Sequence, residues 1–336
     1  MQIACVILAA GLGTRMKSGR AKVLHPVGGL PMIAHPVRLA RELGASRIVA
    51  VLGHQLAEVR AVLAERFGSG AIEVAEQREQ LGTGHAVQQA LPALADFSGG
   101  VVILYGDVPL LRLATVQRLV EAFRAAGVLG CVTMRPPEPR GYGRMVRDAA
   151  GALVRIVEHK DATPEELAIG EVNAGIYCVD AAFLREALAG LENHNAQREF
   201  YLTDLVARAA GRSRVATVEA PPDEVMGIND RVELARADAL WRRAACEALM
   251  RGGVTIRDPA TCYLEADVTV GRDADLGPAV VLAGRTRVGD GAVLEAGCVL
   301  RDTTVGAGAR IGAHAVLGGA VIAEGVTVPA LSRIEG

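Results

Sequence analysis

Ile3-Ala4-Cys5-Val6-Ile7-Leu8-Ala9-Ala10 runs without a polar interruption into Gly11-Leu12-Gly13-Thr14-Arg15-Met16, and Lys22 follows soon after. The apolar run reads as a strand, and its direct passage into a glycine loop makes the loop a candidate anion site. An apolar strand that empties into glycines flanked by Arg15 and Lys22 is what is needed to wrap backbone amides around a nucleotide's phosphates. Glycine serves there because the backbone must come close to the anion, often at φ > 0, with no Cβ in the way. The loop is not the dinucleotide fingerprint, because Met16 stands where G-x-G-x-x-G has its third glycine. It is not a P-loop either, since no Gly-Lys-Ser/Thr closes it. A tight strand-to-helix turn with incidental basic residues is the competing reading.

Outward from this stretch, short apolar runs alternate with helical patterns up to about residue 228. The expected strands are 3–9, Arg47–Leu52, Val101–Tyr105, Gly130–Met134 and Val215–Glu219. The expected helices include Met32–Leu43, Leu56–Phe67, Leu113–Ala126 and Ala181–Leu188. That alternation predicts an α/β fold with a mainly parallel sheet flanked by helices. Ligands of such folds bind outside the carboxyl ends of the strands, where both the glycine loop and the segment after Tyr105 fall.

From about residue 254 the rhythm changes. Leu264, Val270, Leu276, Leu282, Val288, Leu294 and Leu300 recur every six residues; after a five-residue step come Val305, Ile311 and Leu317, then Ile322 and Val328. Glycine often follows the aliphatic residue, as in Leu276-Gly277 and Val288-Gly289. A six-residue period with one aliphatic residue pointing inward is the hexapeptide signature of a parallel β-helix. An ordinary sandwich does not explain so fixed a period. Between the two patterns lies one long helix, with Val232, Ala235, Leu240, Trp241, Ala244, Ala248 and Leu249 expected on its apolar face and Gly252-Gly253 at its end. Asp230 and Glu233 resemble a capping box. The chain therefore divides into a first domain, 1–228, a connecting helix, 229–253, and a repeat domain, 254–336.

Bulk properties narrow the function. A length of 336 residues favours two domains, and a net charge of −2 gives no electrostatic reason to expect nucleic-acid binding or attraction to a membrane surface. The six cysteines (Cys5, Cys131, Cys178, Cys246, Cys262, Cys298) form no C-x-x-C pair and read as reduced, mostly buried thiols of a cytoplasmic protein. No apolar run approaches 18 residues, and the apolar N-terminus lacks the flanks of a signal peptide.

Several segments of the first domain carry chemistry. Tyr105-Gly106-Asp107-Val108-Pro109 puts a carboxylate directly after a buried strand, suited to Mg²⁺, which takes one or two protein oxygens plus phosphates. Gly-Asp-x-Pro is also good turn chemistry. Glu76-Gln77-Arg78-Glu79-Gln80-Leu81-Gly82-Thr83-Gly84-His85-Ala86 offers amides and a Gly-Thr turn to the edge of a base, or simply a capped helix start. Gly141-Tyr142-Gly143-Arg144 and Glu158-His159-Lys160-Asp161 bracket an expected hairpin. Asn173-Ala174-Gly175 and the stretch from Glu199 to Asp204 follow. Each suits sugar hydroxyls or reads as surface loop. Asn229 reads as a second metal ligand or as part of the helix cap. His314, on the repeat register, has no partner at ligand spacing and is expected at a solvated coil position.

Together, Leu8 through Met16, Lys22-Val23-Leu24-His25, Glu79 through Ala86 and Tyr105 through Pro109 resemble the sugar-phosphate nucleotidylyltransferases. Within them the likeness is to the uridylyltransferase half of the bifunctional bacterial family that makes UDP-N-acetylglucosamine. Gly141–Arg144, 157–162, 193–204 and 227–229 agree in order and spacing. The resemblance implies a Rossmann-like nucleotidylyltransferase domain followed by a short left-handed parallel β-helix. It implies that the backbone of Ala10, Gly11 and Gly13 holds UTP, with Arg15 and Lys22 on its phosphates as the catalytic pair. It places Gln77, Gly82 and Thr83 on the uracil, Tyr105, Gly143, Glu158 and Asn173 on substrate, the last three at the sugar phosphate, and Mg²⁺ on Asp107 and Asn229. The implied reaction joins UTP and N-acetylglucosamine-1-phosphate and releases pyrophosphate, for cell-envelope precursor synthesis. A homotrimer through the β-helix is implied as well. In the bifunctional family the β-helix continues and carries an acetyltransferase; this chain stops at Gly336, so no acetyltransferase activity is expected. The alternatives are the same chemistry on glucose-1-phosphate with UTP or dTTP, or a non-catalytic subunit that senses nucleotide or sugar.

Overall fold

A computed structural model describes all residues, 1–336. Contacts divide the chain into two compact units, Met1–His25 with Pro31–Arg231 and Pro26–Leu30 with Val232–Gly336.

The first unit is built on a nine-stranded sheet. Ile3–Ala9 lies at its centre, paired in parallel with Arg47–Leu52 on one side and Gly100–Tyr105 on the other. Glu73–Glu76 extends the parallel run beyond Arg47–Leu52. Val172–Asp180 enters antiparallel between Gly100–Tyr105 and Leu129–Met134, and Ala216–Glu219 closes that edge in parallel. The sheet is thus mainly parallel, as the alternation predicts. The expected hairpin is present as Arg144–Arg147 against Leu153–Val157.

The central strand shows why its sequence has no polar gap. Ala4, Val6 and Leu8 point into one core cluster, with Ala86 and Val87 of the Thr83–Ala90 helix. Ile3, Cys5 and Ile7 point into a second, with Val37, Val59 and Val116 from helices over the other face. Side chains alternate across a strand, so a sheet covered on both faces needs apolar residues at every position. The register sets Ala9 beside Leu52 and Leu8 beside Tyr105, so Ala10, Gly53 and Gly106 leave the sheet together at its carboxyl edge.

The second unit contains three parallel sheets, two of five strands and one of four, each visited in turn as the chain coils. Leu276, Leu282, Leu294, Leu300, Ile311 and Leu317 stack in its core, while Val270 is only partly buried. The glycines after the aliphatic residues have a steric cause. A Cβ on Gly289 would lie 2.6 Å from the amide nitrogen of Ala307, and one on Gly312 would lie 2.4 Å from that of Ala330. Coils stack through these positions, so a side chain there would push successive coils apart. The two five-residue steps, Leu300 to Val305 and Leu317 to Ile322, occur at one corner. On the preceding coil, where the step is still six, Thr286 is fully buried at that corner and donates to the Ala283 carbonyl at 2.7 Å. His314 is exposed at φ +58°, a solvated corner position as expected.

One expectation needs correction. The long helix, Arg231–Arg251, buries Ala237 and Cys246 and only half-buries Leu240, Trp241 and Leu249 of the predicted stripe; Val232 is 78% exposed, and Ala235, Ala244 and Ala248 are exposed too. The inner face is turned by about one residue because polar groups occupy it. Asp238 accepts from the Gly28 amide at 2.8 Å and pairs with Arg242 at 3.0 Å. From Val232 onward this helix groups with the second unit, where Ala245, Leu249 and Met250 pack on the core of the coils.

Candidate active site

At the carboxyl edge of the first unit's sheet is a cavity of about 260 Å³. Its floor is the end of the central strand, Leu8 to Gly11, and Lys22, Tyr105 and Asp107 line one side. Gln77, Gln80, Gly82 and Thr83 line the other, with Glu199. Each element reaches the cavity for a steric reason. A Cβ on Gly53 would lie 2.7 Å from the Ala10 carbonyl, and one on Gly106 would lie 3.0 Å from the Ala9 Cβ. The three strand ends therefore converge only because two of them exit through glycine.

The glycine loop itself is not a strand-to-helix turn. Gly13, at φ +62°, leads into a single helical turn, Thr14–Met16, and a second short turn spans Lys22–Leu24. A Cβ on Gly13 would lie 2.6 Å from the Cβ of Lys22. Gly11 has open space around it, Arg15 is exposed, and Met16 is buried beneath the loop. The Met16 carbonyl accepts from Arg231 Nε at 3.2 Å, which ties the loop to the segment carrying Asn229. The same guanidinium lies 3.3 Å from Nδ1 of His25, whose burial, with Arg231 and Arg20 nearby, lowers its pKa.

Lys22 gathers the predicted metal ligands. Its Nζ donates to Asp107 Oδ2 at 2.6 Å and to Asn229 Oδ1 at 2.9 Å. Lys22 and Asp107 are only 13% and 22% exposed, so water screens the pair weakly. The Ile228 amide donates to the Asp107 carbonyl at 3.0 Å, which holds the two segments in register. Three residues separated by 85 and 207 positions thus meet at one charge.

The segment around Gly82 and Thr83 is equally ordered. Phe200 N donates to the Leu81 carbonyl and the Gly84 amide to the Phe200 carbonyl, both at 2.8 Å. The Leu202 amide donates to Thr83 Oγ1 at 3.2 Å. Gly82 sits at φ +106°, where a Cβ would lie 2.7 Å from the Phe200 carbonyl. This zipper brings Glu199 to the cavity wall.

Gly143, Glu158 and Asn173 do not line that cavity. They form a neighbouring group: the Asn173 amide nitrogen donates to the Gly143 carbonyl at 2.9 Å, and a Cβ on Gly143 would lie 3.5 Å from Glu158 Oε2. Tyr105 links the two, since a Cβ on Gly175 would touch its ring at 2.9 Å and Asn173 Oδ1 accepts from the Gly175 amide at 2.9 Å. Burial raises the pKa of the Glu158 carboxyl, and Asp161, Asp204 and Glu199 add to the rise. The Thr203 hydroxyl, donating at 2.9 Å, works against it. Gln80 and Glu199 also line the cavity without having been singled out. Both lie inside stretches the sequence offers, Gln80 between Glu76 and Ala86 and Glu199 at the head of the 199–204 stretch, but nothing local assigns Glu199 to this cavity.

A model of the MobA-like NTP transferase domain matches residues 5–201, which contain the glycine loop, the Gly82–Thr83 segment and Asp107. The chain belongs to the MobA-like NTP transferase family. The "Bifunctional protein GlmU" of Anaeromyxobacter sp. strain Fw109-5 is 51% identical over 333 residues, covering 99% of this chain and 65% of that relative. The protein of that name from Anaeromyxobacter sp. strain K is 49% identical over 333 residues, covering 99% of this chain and 68% of the relative. The chain thus spans just under two thirds of the first of these relatives. A solved UDP-glucose pyrophosphorylase in complex with UDP-glucose superposes with a TM-score of 0.60 at 15% identity, over 73% of this chain and all of that one, and shares the fold. No helix of this NTP transferase is long and apolar enough to cross a membrane.

Proposed function

We propose that the chain is a sugar-1-phosphate uridylyltransferase, converting UTP and N-acetylglucosamine-1-phosphate into UDP-N-acetylglucosamine and pyrophosphate. The observation that carries this reading is the meeting of Lys22, Asp107 and Asn229 at 2.6 and 2.9 Å beside a cavity floored by the glycine loop. A phosphate oxygen of the sugar phosphate attacks the α-phosphorus of UTP in line. The bond from that phosphorus to the bridging oxygen breaks, and pyrophosphate leaves with the electron pair. Such a transfer needs positioning and charge neutralisation rather than a covalent nucleophile from the protein.

In this reading the backbone of Ala10, Gly11 and Gly13 cradles the phosphates. Lys22 and Arg15 balance charge on the leaving pyrophosphate, and Gln77, Gly82 and Thr83 meet the uracil. Tyr105 stands between the nucleotide cavity and the group at Gly143, Glu158 and Asn173, which takes the sugar phosphate. Asp107 and Asn229 suit Mg²⁺: their oxygens already converge on one cation, the Lys22 ammonium. One carboxylate and one amide oxygen form the sparse hard-oxygen set that Mg²⁺ completes with water and phosphates. When bound, Mg²⁺ supplies further charge neutralisation across the phosphates. The reading includes a homotrimer through the coiled unit, supported by the exposed apolar side chains of Val316, Val321 and Leu331, and checked by sedimentation.

The test is pyrophosphate release from UTP and Mg²⁺ with N-acetylglucosamine-1-phosphate or glucose-1-phosphate. Preference for the acetylated sugar is expected, and Asp107→Ala should lower turnover by roughly 100-fold or more with an unchanged circular dichroism spectrum. Substantial Mg²⁺-dependent turnover by that variant would remove Asp107 from the mechanism. Preference for glucose-1-phosphate would move the substrate and keep the chemistry.

A further inference from the structure

Gln77 is 4% exposed and lines the nucleotide cavity. Its Nε2 lies 3.2 Å from the Gly82 carbonyl and 3.1 Å from Nδ1 of His85. A carboxamide nitrogen carries two hydrogens, and here both are committed. The Gly82 carbonyl can only accept, so it decides which end of the amide is nitrogen; the flipped amide would set two acceptors face to face. Nδ1 of His85 must then accept, which makes the ring neutral with its proton on Nε2.

The far side of the ring agrees once one conflict is resolved. The Gln89 amide lies 3.0 Å from His85 Nε2 and 3.3 Å from the His85 carbonyl, with nitrogen placed toward both. A neutral imidazole accepts at one nitrogen only, so Gln77 and Gln89 cannot both donate to it. Turning the Gln89 oxygen to the ring would set it against the His85 carbonyl, so Gln89 keeps its donation to that carbonyl. Gln89 is only half-buried and can give up the ring contact to water, whereas Gln77 is buried and keeps both of its donations, to His85 and to Gly82. The ring itself is seated beside Phe200, centroids 6.4 Å apart.

We propose that His85 is a positioning residue that locks the Gln77 amide with its oxygen left to meet the base, so that the cavity selects bases bearing a hydrogen at N3 over cytosine. Uracil and thymine carry that N–H and donate to the oxygen. Cytosine has a bare N3 there and would oppose acceptor to acceptor. The inference rests on the nucleotidyl-transfer reading above and adds the means by which the base is chosen.

The experiment compares UTP with CTP, by kcat/KM for pyrophosphate release and by calorimetric Kd, in the full chain and in three variants. His85→Phe keeps a ring beside Phe200 and removes both nitrogens. His85→Gln is a second, polar replacement that also lacks an acceptor at the Nδ1 position. His85→Asn restores an acceptor there. The UTP-to-CTP ratio should fall about tenfold or more in His85→Phe and in His85→Gln, the weight of one well-made hydrogen bond. It should stay within about threefold of wild type in His85→Asn. A wild-type ratio in a folded His85→Phe or His85→Gln variant overturns the proposal, and so does a His85→Asn ratio as low as theirs. A wild-type chain that binds UTP without turning it over would sink the transfer reading instead, and the same comparison would then be read from the Kd values.

Discussion

Gly13 shows how closely the glycine loop depends on a missing methyl group. It sits at φ +62°, and a Cβ there would lie 2.6 Å from the Cβ of Lys22. Gly13→Ala therefore strains the backbone and displaces the one ammonium that Asp107 and Asn229 share. Misplacing such a group by about 1 Å costs up to roughly 100-fold in rate. We expect kcat/KM to fall by at least tenfold, alongside the roughly 1–2 kcal/mol of stability that a left-handed alanine costs, read from enzyme assays beside urea unfolding. Glu158 makes a prediction of different sign. Burial holds its folded pKa above the ordinary carboxylate value, so the folded state binds the extra proton. Stability from this group is present below the unfolded pKa and is lost as pH rises through the folded one. Glu158→Gln keeps an acceptor for Thr203 and removes the titration. The variant should be more stable than wild type at pH 7, with the gap closing once both carboxyl states are protonated; an equal gap at pH 7 and pH 3 would refute this. Lys22, Asp107 and Asn229 were each legible as chemistry-bearing residues in the sequence, but their meeting was not, because the sheet and not the local pattern closes 85 and 207 residues of separation. Glu199 was legible only as the head of a polar stretch, and its place on this cavity wall follows from backbone bonds between Phe200 and the Leu81–Gly84 turn.

Strands and coils were legible because their apolar rhythm is also their burial. Ile3–Ala9, Arg47–Leu52, Leu56–Phe67 and Leu113–Ala126 fall where the pattern puts them, with covered faces that admit few polar residues. The Arg231–Arg251 helix was misread by about one residue for the opposite reason. Asp238 and Arg242 take places on its inner face, and an argument that follows only apolar residues turns the helix away from them. The glycines of the coils were visible as a recurrence, but their cause lies in the neighbouring coil. A Cβ on Gly306 would lie 2.5 Å from the backbone nitrogen of Glu324, which cannot yield as a flexible side chain can. Gly306→Ala should therefore destabilise the second unit by about 1–3 kcal/mol, the usual size of an overpacking strain. Gly308→Ala is the control, because a Cβ there meets open space, although φ +65° still carries the smaller cost of a left-handed alanine. Unfolding midpoints that rank the two variants in the reverse order would contradict this account of the repeat.

The division into two units sets how the chain should unfold. Each unit has its own core: the two clusters on the faces of the nine-stranded sheet contain no residue from the coils, and the third cluster contains none from the sheet. Chains with separate cores commonly depart from two-state behaviour. The sequence supplies a natural probe, since its single tryptophan, Trp241, belongs to the second unit. Pro26–Leu30 belongs to that unit as well, although twenty-five residues of the first unit precede it. Gly28, at φ +56°, lies against the indole, and a Cβ there would fall 2.4 Å from the Trp241 ring. No periodicity could have exposed that tie, because it joins a two-residue turn to a helix 213 positions on. Gly28→Ala should therefore lower the transition seen by tryptophan fluorescence. UTP should act on the other unit: a ligand at 100 times its Kd adds about 2.7 kcal/mol to the state that binds it. With UTP present, the far-ultraviolet circular dichroism transition assigned to the sheet unit should rise while the tryptophan transition stays in place. If both probes move together, under UTP and in Gly28→Ala alike, the two cores unfold as one cooperative body and the separation of their energetics is wrong.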